Sequence, residues 1–220
     1  MIIRYFKFVK RQLTGAVLIT AAVMLTGVVA VITLAPVDTV EATESGRSIN
    51  MIAEAKLSDQ NGERVRGSDL ENKLVLMNFF FTGCEGACPL QTAVIRDVRN
   101  ELAAQSDEPD VVFLSVSIAP FADTKESIDK YIAQYKLEQT GSHDKNGWRF
   151  STTDVKKLET LIEQFGVTVD NAIVTDEQLD HRNMGYLFGK SGKLMQQYQL
   201  VPGIAERLTR EITELDQLQL

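Results

Sequence analysis

An apolar, aromatic-rich run at Leu74–Phe81 sets the tightest limit on how this chain folds. The run is almost free of polar residues and too short for an ordinary helix, so it predicts a central strand buried on both faces. Cys84 and Cys88 follow it directly. From Pro89 onward, apolar residues recur at four-residue steps, as they do on one face of a helix. The pattern predicts a strand, a short loop that carries both cysteines, and a helix packed on the sheet.

Strand and helix signals alternate along the rest of the chain. A short strand is predicted at 55–57, before a turn at Asn61-Gly62. Further strands are predicted at 110–116 and, as a hairpin, at 184–188 and 193–199, and helices at 89–105, 124–136, 153–165 and 202–215. This order of elements predicts an α/β fold of thioredoxin-like type, a mixed sheet with helices on both faces.

The N-terminal segment from Leu13 to Val37 is apolar and carries no charge. Its length suits one membrane-spanning helix, and cations precede it while Asp38 and Glu41 follow it. The positive-inside rule then predicts a cytoplasmic N-terminus at 1–12, a transmembrane anchor at 13–36, a linker at 37–50 and an exported domain at 51–220. A cleaved signal peptide is the alternative, although its apolar region is typically shorter, about 7–15 residues. Both interpretations export the domain.

Composition excludes several classes of function. The net charge of −7 and a pI near 5.0 argue against binding of nucleic acid through its phosphates. The chain has only two cysteines and two histidines. These counts exclude a disulfide-rich scaffold and a zinc or iron–sulfur site with four thiolates.

Cys84 and Cys88 enclose three residues, in the sequence Cys-Glu-Gly-Ala-Cys-Pro. The spacing brings both sulfurs within reach of a disulfide or of a shared metal, and a helix that begins near Pro89 would stabilise a thiolate at Cys88. Three interpretations stay open: a structural disulfide, a redox-active catalytic dithiol, and a site for a soft metal such as Cu(I). A loop this small makes a weak structural staple. The spacer is also one residue longer than that of a thioredoxin Cys-x-x-Cys motif.

A metal held by two thiolates needs a further ligand from elsewhere in the chain. His181 lies just before the strand predicted at 184–188, in a loop that can reach the cysteines. His143 lies in another polar loop, and Met184 offers a thioether, although the pattern favours a core position for Met184. An imidazole ligand would accommodate Cu(II) beside Cu(I).

Several motifs, taken in order, resemble the Sco/SenC family. They are Leu-Ser-Asp-Gln-Asn-Gly at 57–62, Thr-Gly-Cys-Glu-Gly-Ala-Cys-Pro at 82–89, Asn-Gly-Trp-Arg-Phe at 146–150, and Asp180-His181. The resemblance implies a thioredoxin-like domain anchored on the outer face of an energy-converting membrane. It also implies copper held by Cys84, Cys88 and His181. In this family the copper serves the binuclear copper centre of cytochrome c oxidase, whose copper-bearing subunit is the implied partner, together with other copper chaperones or thioredoxin-like reductants.

Two positions depart from the family pattern. Ala119-Pro120 stands where the family usually has Asp-Pro, so the nearest acid is Asp123, and Glu85 stands where a proline usually follows the first cysteine. These changes favour Cu(I) over Cu(II) as the bound ion, and they favour a thiol–disulfide redox function for the two cysteines.

Two functional hypotheses follow, and whether the chain is an enzyme stays open between them. The first is a copper-binding protein of a bacterial inner membrane, with a single anchor, a cytoplasmic N-terminus and its domain in the periplasm. It delivers copper to the binuclear copper site of cytochrome c oxidase, reduces the cysteines of that site, or does both. The second is a periplasmic thiol–disulfide oxidoreductase that uses the dithiol of Cys84 and Cys88 without a metal.

Overall fold

A five-stranded mixed sheet lies at the centre of the structure, a computed structural model that describes residues 47–105, 110–137, 147–166 and 183–218. The strands are β1 (Leu74–Phe80), β2 (Val111–Ser117), β3 (Trp148–Ser151), β4 (Met184–Phe188) and β5 (Leu194–Gln199). Their spatial order is β3-β2-β1-β4-β5. β1 runs parallel to β2 and antiparallel to β4, so the strand before the cysteines is the middle one.

Five α-helices are described around the sheet. They are α1 (Ile49–Glu54), α2 (Ala87–Ala103), α3 (Lys125–Tyr135), α4 (Val155–Gln164) and α5 (Ala205–Gln217), with a short 3₁₀-helix at Gly67–Asp69. Thr124 caps α3 by accepting a hydrogen bond from the Ser127 N–H, and Asp154 caps α4 in the same way through Lys157. Both caps confirm the boundaries expected from the sequence.

The two faces of β1 contact different helices. Asn78 bonds to Gln91 of α2 on one face, where the Phe80 ring also lies 5.6 Å from that of Tyr131 on α3. Phe79 points to the opposite face, and its ring lies 5.5 Å from that of Phe165, the residue that ends α4. All seven residues of β1 and of β2 are buried. The mixed sheet with helices on both faces is therefore confirmed, and the arrangement is thioredoxin-like.

Several local predictions were wrong. Residues 55–57 form no strand; the chain leaves α1 there, and Ser58 makes only isolated bridges to Arg64 and Thr152. β3 was missed because it has only four residues, and one of them is the charged Arg149. The last helix begins at Ala205, later than predicted.

The start of α2 also differs from its prediction. The helix begins at Ala87, which places Cys88 inside its first turn. Leu90, the first of the apolar residues that recur at four-residue steps after Pro89, is 48% exposed, whereas Gln91 is buried. Gln91 lies on the buried face of α2, where Asn78 donates a hydrogen bond to its side-chain oxygen at 2.8 Å.

The folded domain includes the last residues of the predicted linker. Ser48 caps α1 and bridges to Lys193, and Ile49 is buried. Within the described ranges, no helix is both long enough and apolar enough to cross a membrane. The anchor predicted at 13–36 lies outside those ranges.

Candidate metal and thiol site

The loop at 81–86 leaves the carboxyl end of the central strand and leads into α2. Because β1 and β2 are parallel, the segment that follows β2 lies beside this loop, and the Ile118 N–H donates to the carbonyl of Phe80 at 2.9 Å. Ligands of α/β proteins commonly bind at this end of the sheet. The fold thus places Cys84 in this loop, as expected from the sequence, whereas Cys88 lies in the first turn of α2.

The side chains of Cys84 and Cys88 are both shielded from solvent and lie close together. Cys84 is 5% exposed and Cys88 is fully buried. The Cys88 backbone N–H donates a hydrogen bond to Cys84 Sγ at 3.2 Å. Such a bond at a helix N-terminus favours the thiolate over the thiol.

The sulfur that receives this N–H differs from the one expected. A helix that begins near Pro89 would direct its N-terminal N–H groups at Cys88. Because α2 begins at Ala87, Cys88 is part of the first turn and its N–H points back to Cys84. This N–H therefore stabilises the thiolate form of Cys84.

Two tyrosines of α3 lie close to the cysteines. The Tyr131 hydroxyl lies 2.5 Å from the Thr92 hydroxyl and 3.4 Å from the carbonyl of Cys88. The Tyr131 and Tyr135 rings are 4.6 Å apart. Burial raises the pKa of Tyr131 well above its usual value, and the charges of the cysteine thiolates add to this shift. Burial, followed by the charges of Cys84 and Cys88, also raises the pKa of Tyr135.

These tyrosines therefore stay neutral and form an aromatic wall near the dithiol. Their four-residue spacing on a predicted helix places them on one face. The packing of α3 beside the cysteine loop, which brings them to the site, has no signal in the local sequence.

Asp123 is the acid that reaches the cysteine loop. Its carboxylate is 3% exposed and accepts hydrogen bonds from Thr82, two residues before Cys84, and from Ser117 at the end of β2. Ala119, where the resemblance predicts an aspartate, brings no carboxylate to the site. Glu85, between the cysteines, is exposed.

A chain of buried hydrogen bonds runs through the core on the same face of the sheet. The Trp148 indole donates to Ser115 Oγ at 2.9 Å, Ser115 donates to Asn78 at 2.7 Å, and Asn78 donates to Gln91 on α2. Gln91 follows Cys88 by one helical turn. This network holds the first turns of α2 against β1, and it therefore holds in place the helix end at which the cysteine loop arrives.

Replacing Asn78 with leucine is expected to destabilise the domain by about 2–4 kcal/mol, because the Ser115 hydroxyl loses the acceptor for its proton and the Gln91 side-chain oxygen loses its donor. Urea denaturation measures the change. Asn100→Leu is the matched control, since Asn100 lies exposed on α2, and its effect should stay within about 0.5 kcal/mol. Equal effects of the two substitutions would contradict the role given to the network.

The other predicted ligands have different outcomes. His181 and His143 lie outside the described residues. Met184 is half-buried at the start of β4, packed against the core. Among the described residues, no group of three or more histidine, cysteine, aspartate or glutamate side chains is arranged to hold a metal ion. The donors that the described site offers are two sulfurs, which suit a soft ion such as Cu(I).

A family model and several known proteins resemble this chain in sequence. The family model SCO1/SenC matches residues 44–215. The SCO1 protein homolog of Bacillus subtilis is 32% identical over 144 residues, which cover 64% of this chain and 69% of that protein. The human mitochondrial protein SCO1 homolog is 27% identical over 139 residues, 63% of this chain and 44% of its own length.

Solved structures share the same fold. BsSco, a member of the Sco family of cytochrome c oxidase assembly proteins, aligns with a TM-score of 0.59 at 24% identity, covering 74% of this chain and 91% of BsSco. Copper-bound ScoI of Bradyrhizobium japonicum aligns with a TM-score of 0.55 at 21% identity, covering 72% of this chain and 95% of ScoI. At these identities the structural likeness supports the fold.

Proposed function

Because the chain belongs to the SCO1/SenC family, we propose that it binds copper through Cys84 and Cys88 and serves the assembly of cytochrome c oxidase. The observation that carries this proposal is the pair of shielded sulfurs where the loop at 81–86 enters α2, with Cys84 Sγ on the N–H of Cys88. Copper is bound in the solved ScoI of Bradyrhizobium japonicum, and assembly of cytochrome c oxidase is the role of the Sco family that includes BsSco.

The donor set fits Cu(I) as cargo. Both sulfurs bind as thiolates, and the helix N–H at Cys84 lowers the cost of deprotonating that thiol. His181 is proposed as the third ligand, with a neutral imidazole. Because Cu(I) displaces protons from the thiols, its affinity falls as the pH is lowered.

A low coordination number makes the ion transferable. An acceptor thiolate can add to copper before either Cys84 or Cys88 leaves, so the ion is never released to solvent. The proposed acceptor is the copper-bearing subunit of cytochrome c oxidase, with copper chaperones or thioredoxin-like reductants as further partners. The anchor at 13–36 would hold the domain on the periplasmic side of a bacterial inner membrane, with residues 1–12 in the cytoplasm.

Copper stoichiometry tests the proposal directly. The protein is kept anaerobic with both thiols reduced, and Cu(I) is titrated in competition with a chromophoric Cu(I) chelator. We expect one copper per chain, bound more weakly at lower pH because protons compete for the sulfurs. A reduced protein that takes no copper from the chelator, even when the chelator is weak, would overturn the proposal.

Thiol–disulfide exchange is the second candidate function. It is favoured by the hydrogen bond that stabilises a thiolate at Cys84, the form that attacks a disulfide. In this reaction Cys84 forms a mixed disulfide with one sulfur of the partner. The Cys88 thiolate then attacks the Cys84 sulfur and releases the partner's thiol. The partner disulfide gains two electrons and two protons and becomes two thiols, while Cys84 and Cys88 become a disulfide. This reaction makes no use of His181, which gives the two functions different tests.

A further inference from the structure

Asp123 joins the segment that follows β2 to the loop that carries Cys84. Its Oδ1 accepts a hydrogen bond from the Thr82 backbone N–H at 2.9 Å and another from the Thr82 hydroxyl at 2.6 Å. Its Oδ2 accepts from the Ser117 hydroxyl at 2.5 Å. A side chain only 3% exposed thus uses both oxygens on groups next to the end of β1. These contacts span 41 positions in sequence between Asp123 and Thr82.

Thr82 lies at the start of the turn that aims Cys84. The Cys84 N–H donates to the carbonyl of Phe81 at 3.3 Å, which closes this turn around Thr82 and Gly83. Cys84 Sγ then lies 3.2 Å from the N–H of Cys88. A shift of Thr82 would therefore move the sulfur relative to the helix N–H that stabilises it.

Asp123 is itself held in place. Its N–H donates to the carbonyl of Ala119 at 2.9 Å, and the Ala119 N–H donates to the Ser117 hydroxyl at 3.1 Å. The next residue, Thr124, caps α3. The carboxylate is therefore offered to Thr82 from a fixed turn, which is what a side chain needs to position its partner.

We propose that Asp123 is a positioning residue that, through Thr82, holds the sulfur of Cys84 on the N–H of Cys88, and so sets the reduction potential and copper affinity of the dithiol. The copper part rests on the proposed function, whereas the reduction potential does not require copper. Ala119 leaves this task to Asp123 alone among the acids of the segment between β2 and α3.

Two substitutions separate position from charge. Asp123→Asn keeps an oxygen for both Thr82 donors and an amide for Ser117 Oγ, which can accept, but it removes the charge. Asp123→Ala removes the hydrogen bonds as well. Asp129→Asn is the matched control, because Asp129 is half-exposed on α3 and bonds to Lys125. The measurements are the potential against glutathione and the Cu(I) affinity by chelator competition.

The positioning role predicts that Asp123→Ala changes the equilibrium constant with glutathione by about tenfold, equivalent to about 30 mV for a two-electron couple. The potential should become more negative, since the Cys84 thiolate of the reduced form loses its N–H. Cu(I) affinity should fall with it, whereas Asp123→Asn and Asp129→Asn should match the wild type in both measurements.

Other outcomes overturn the inference. If Asp123→Asn shifts the potential as far as Asp123→Ala, the charge acts rather than the position. If Asp123→Ala lowers the melting temperature and leaves the potential unchanged, the contact is only structural. Should Asp123→Ala fail to fold, Thr82→Val removes one of the two Thr82 donors and must shift the potential in the same direction. If the wild type binds no copper and Asp123→Ala still shifts the reduction potential, the proposed function fails and the positioning role of Asp123 stands.

Discussion

Replacing Cys84 with serine is expected to abolish Cu(I) binding, from one copper per chain to none. Serine has nearly the size of cysteine, but its hydroxyl is a hard, neutral donor at ordinary pH and does not bind Cu(I). The Cys88 thiolate and the proposed His181 imidazole that remain offer a single sulfur, which is too few to hold Cu(I) against a chelator. Chelator competition on the anaerobic, reduced protein measures the loss.

Ala87→Ser provides the matched control for this loss. Ala87 is 2% exposed and lies between the two cysteines in sequence, so this variant adds a hydroxyl to the same turn and keeps both sulfurs. It should retain one copper per chain. Thermal unfolding of both variants shows that the fold is kept. Full copper occupancy in Cys84→Ser would place the metal elsewhere and contradict the site.

Replacing His181 with alanine is expected to weaken copper binding on the order of a hundredfold, because loss of a metal ligand costs at least as much as loss of a residue that supports one. The reduction potential of the dithiol should not change, since no sulfur is altered. His143→Ala is the matched control, as the chain has only these two histidines. Both lie outside the described residues, so the experiment tests the assignment made from the sequence.

The same pair of variants separates the two candidate functions in cells. A copper chaperone should lose oxidase assembly when His181 is replaced, whereas a thiol–disulfide oxidoreductase should keep it. Copper affinity in His181→Ala equal to that of the wild type would contradict the proposed ligand and favour dithiol chemistry. An equal loss in His143→Ala would show that neither effect is specific.

The sequence determined those parts of the protein that depend on neighbouring residues. The apolar run before the cysteines predicted the central strand, because a strand buried on both faces needs apolar side chains throughout. The sequence also predicted helices that start near 124 and 153, and the side-chain caps at Thr124 and Asp154 lie at these starts. The spacing of Cys84 and Cys88 predicts a site that both sulfurs share, and that site stays a prediction.

Only the tertiary structure decided the features that depend on contacts between distant segments. The parallel pairing of β1 with β2 brings Asp123 to Thr82, and no local pattern encodes that contact. Gln91 lies on the buried face of α2 with Ile95 and Val98, where Asn78 donates to its side-chain oxygen, whereas Leu90 is exposed. Cys84 rather than Cys88 receives the helix N–H because α2 begins two residues before Pro89. The sequence shows which side chains each segment carries, but packing across the sheet decides which of them contact one another.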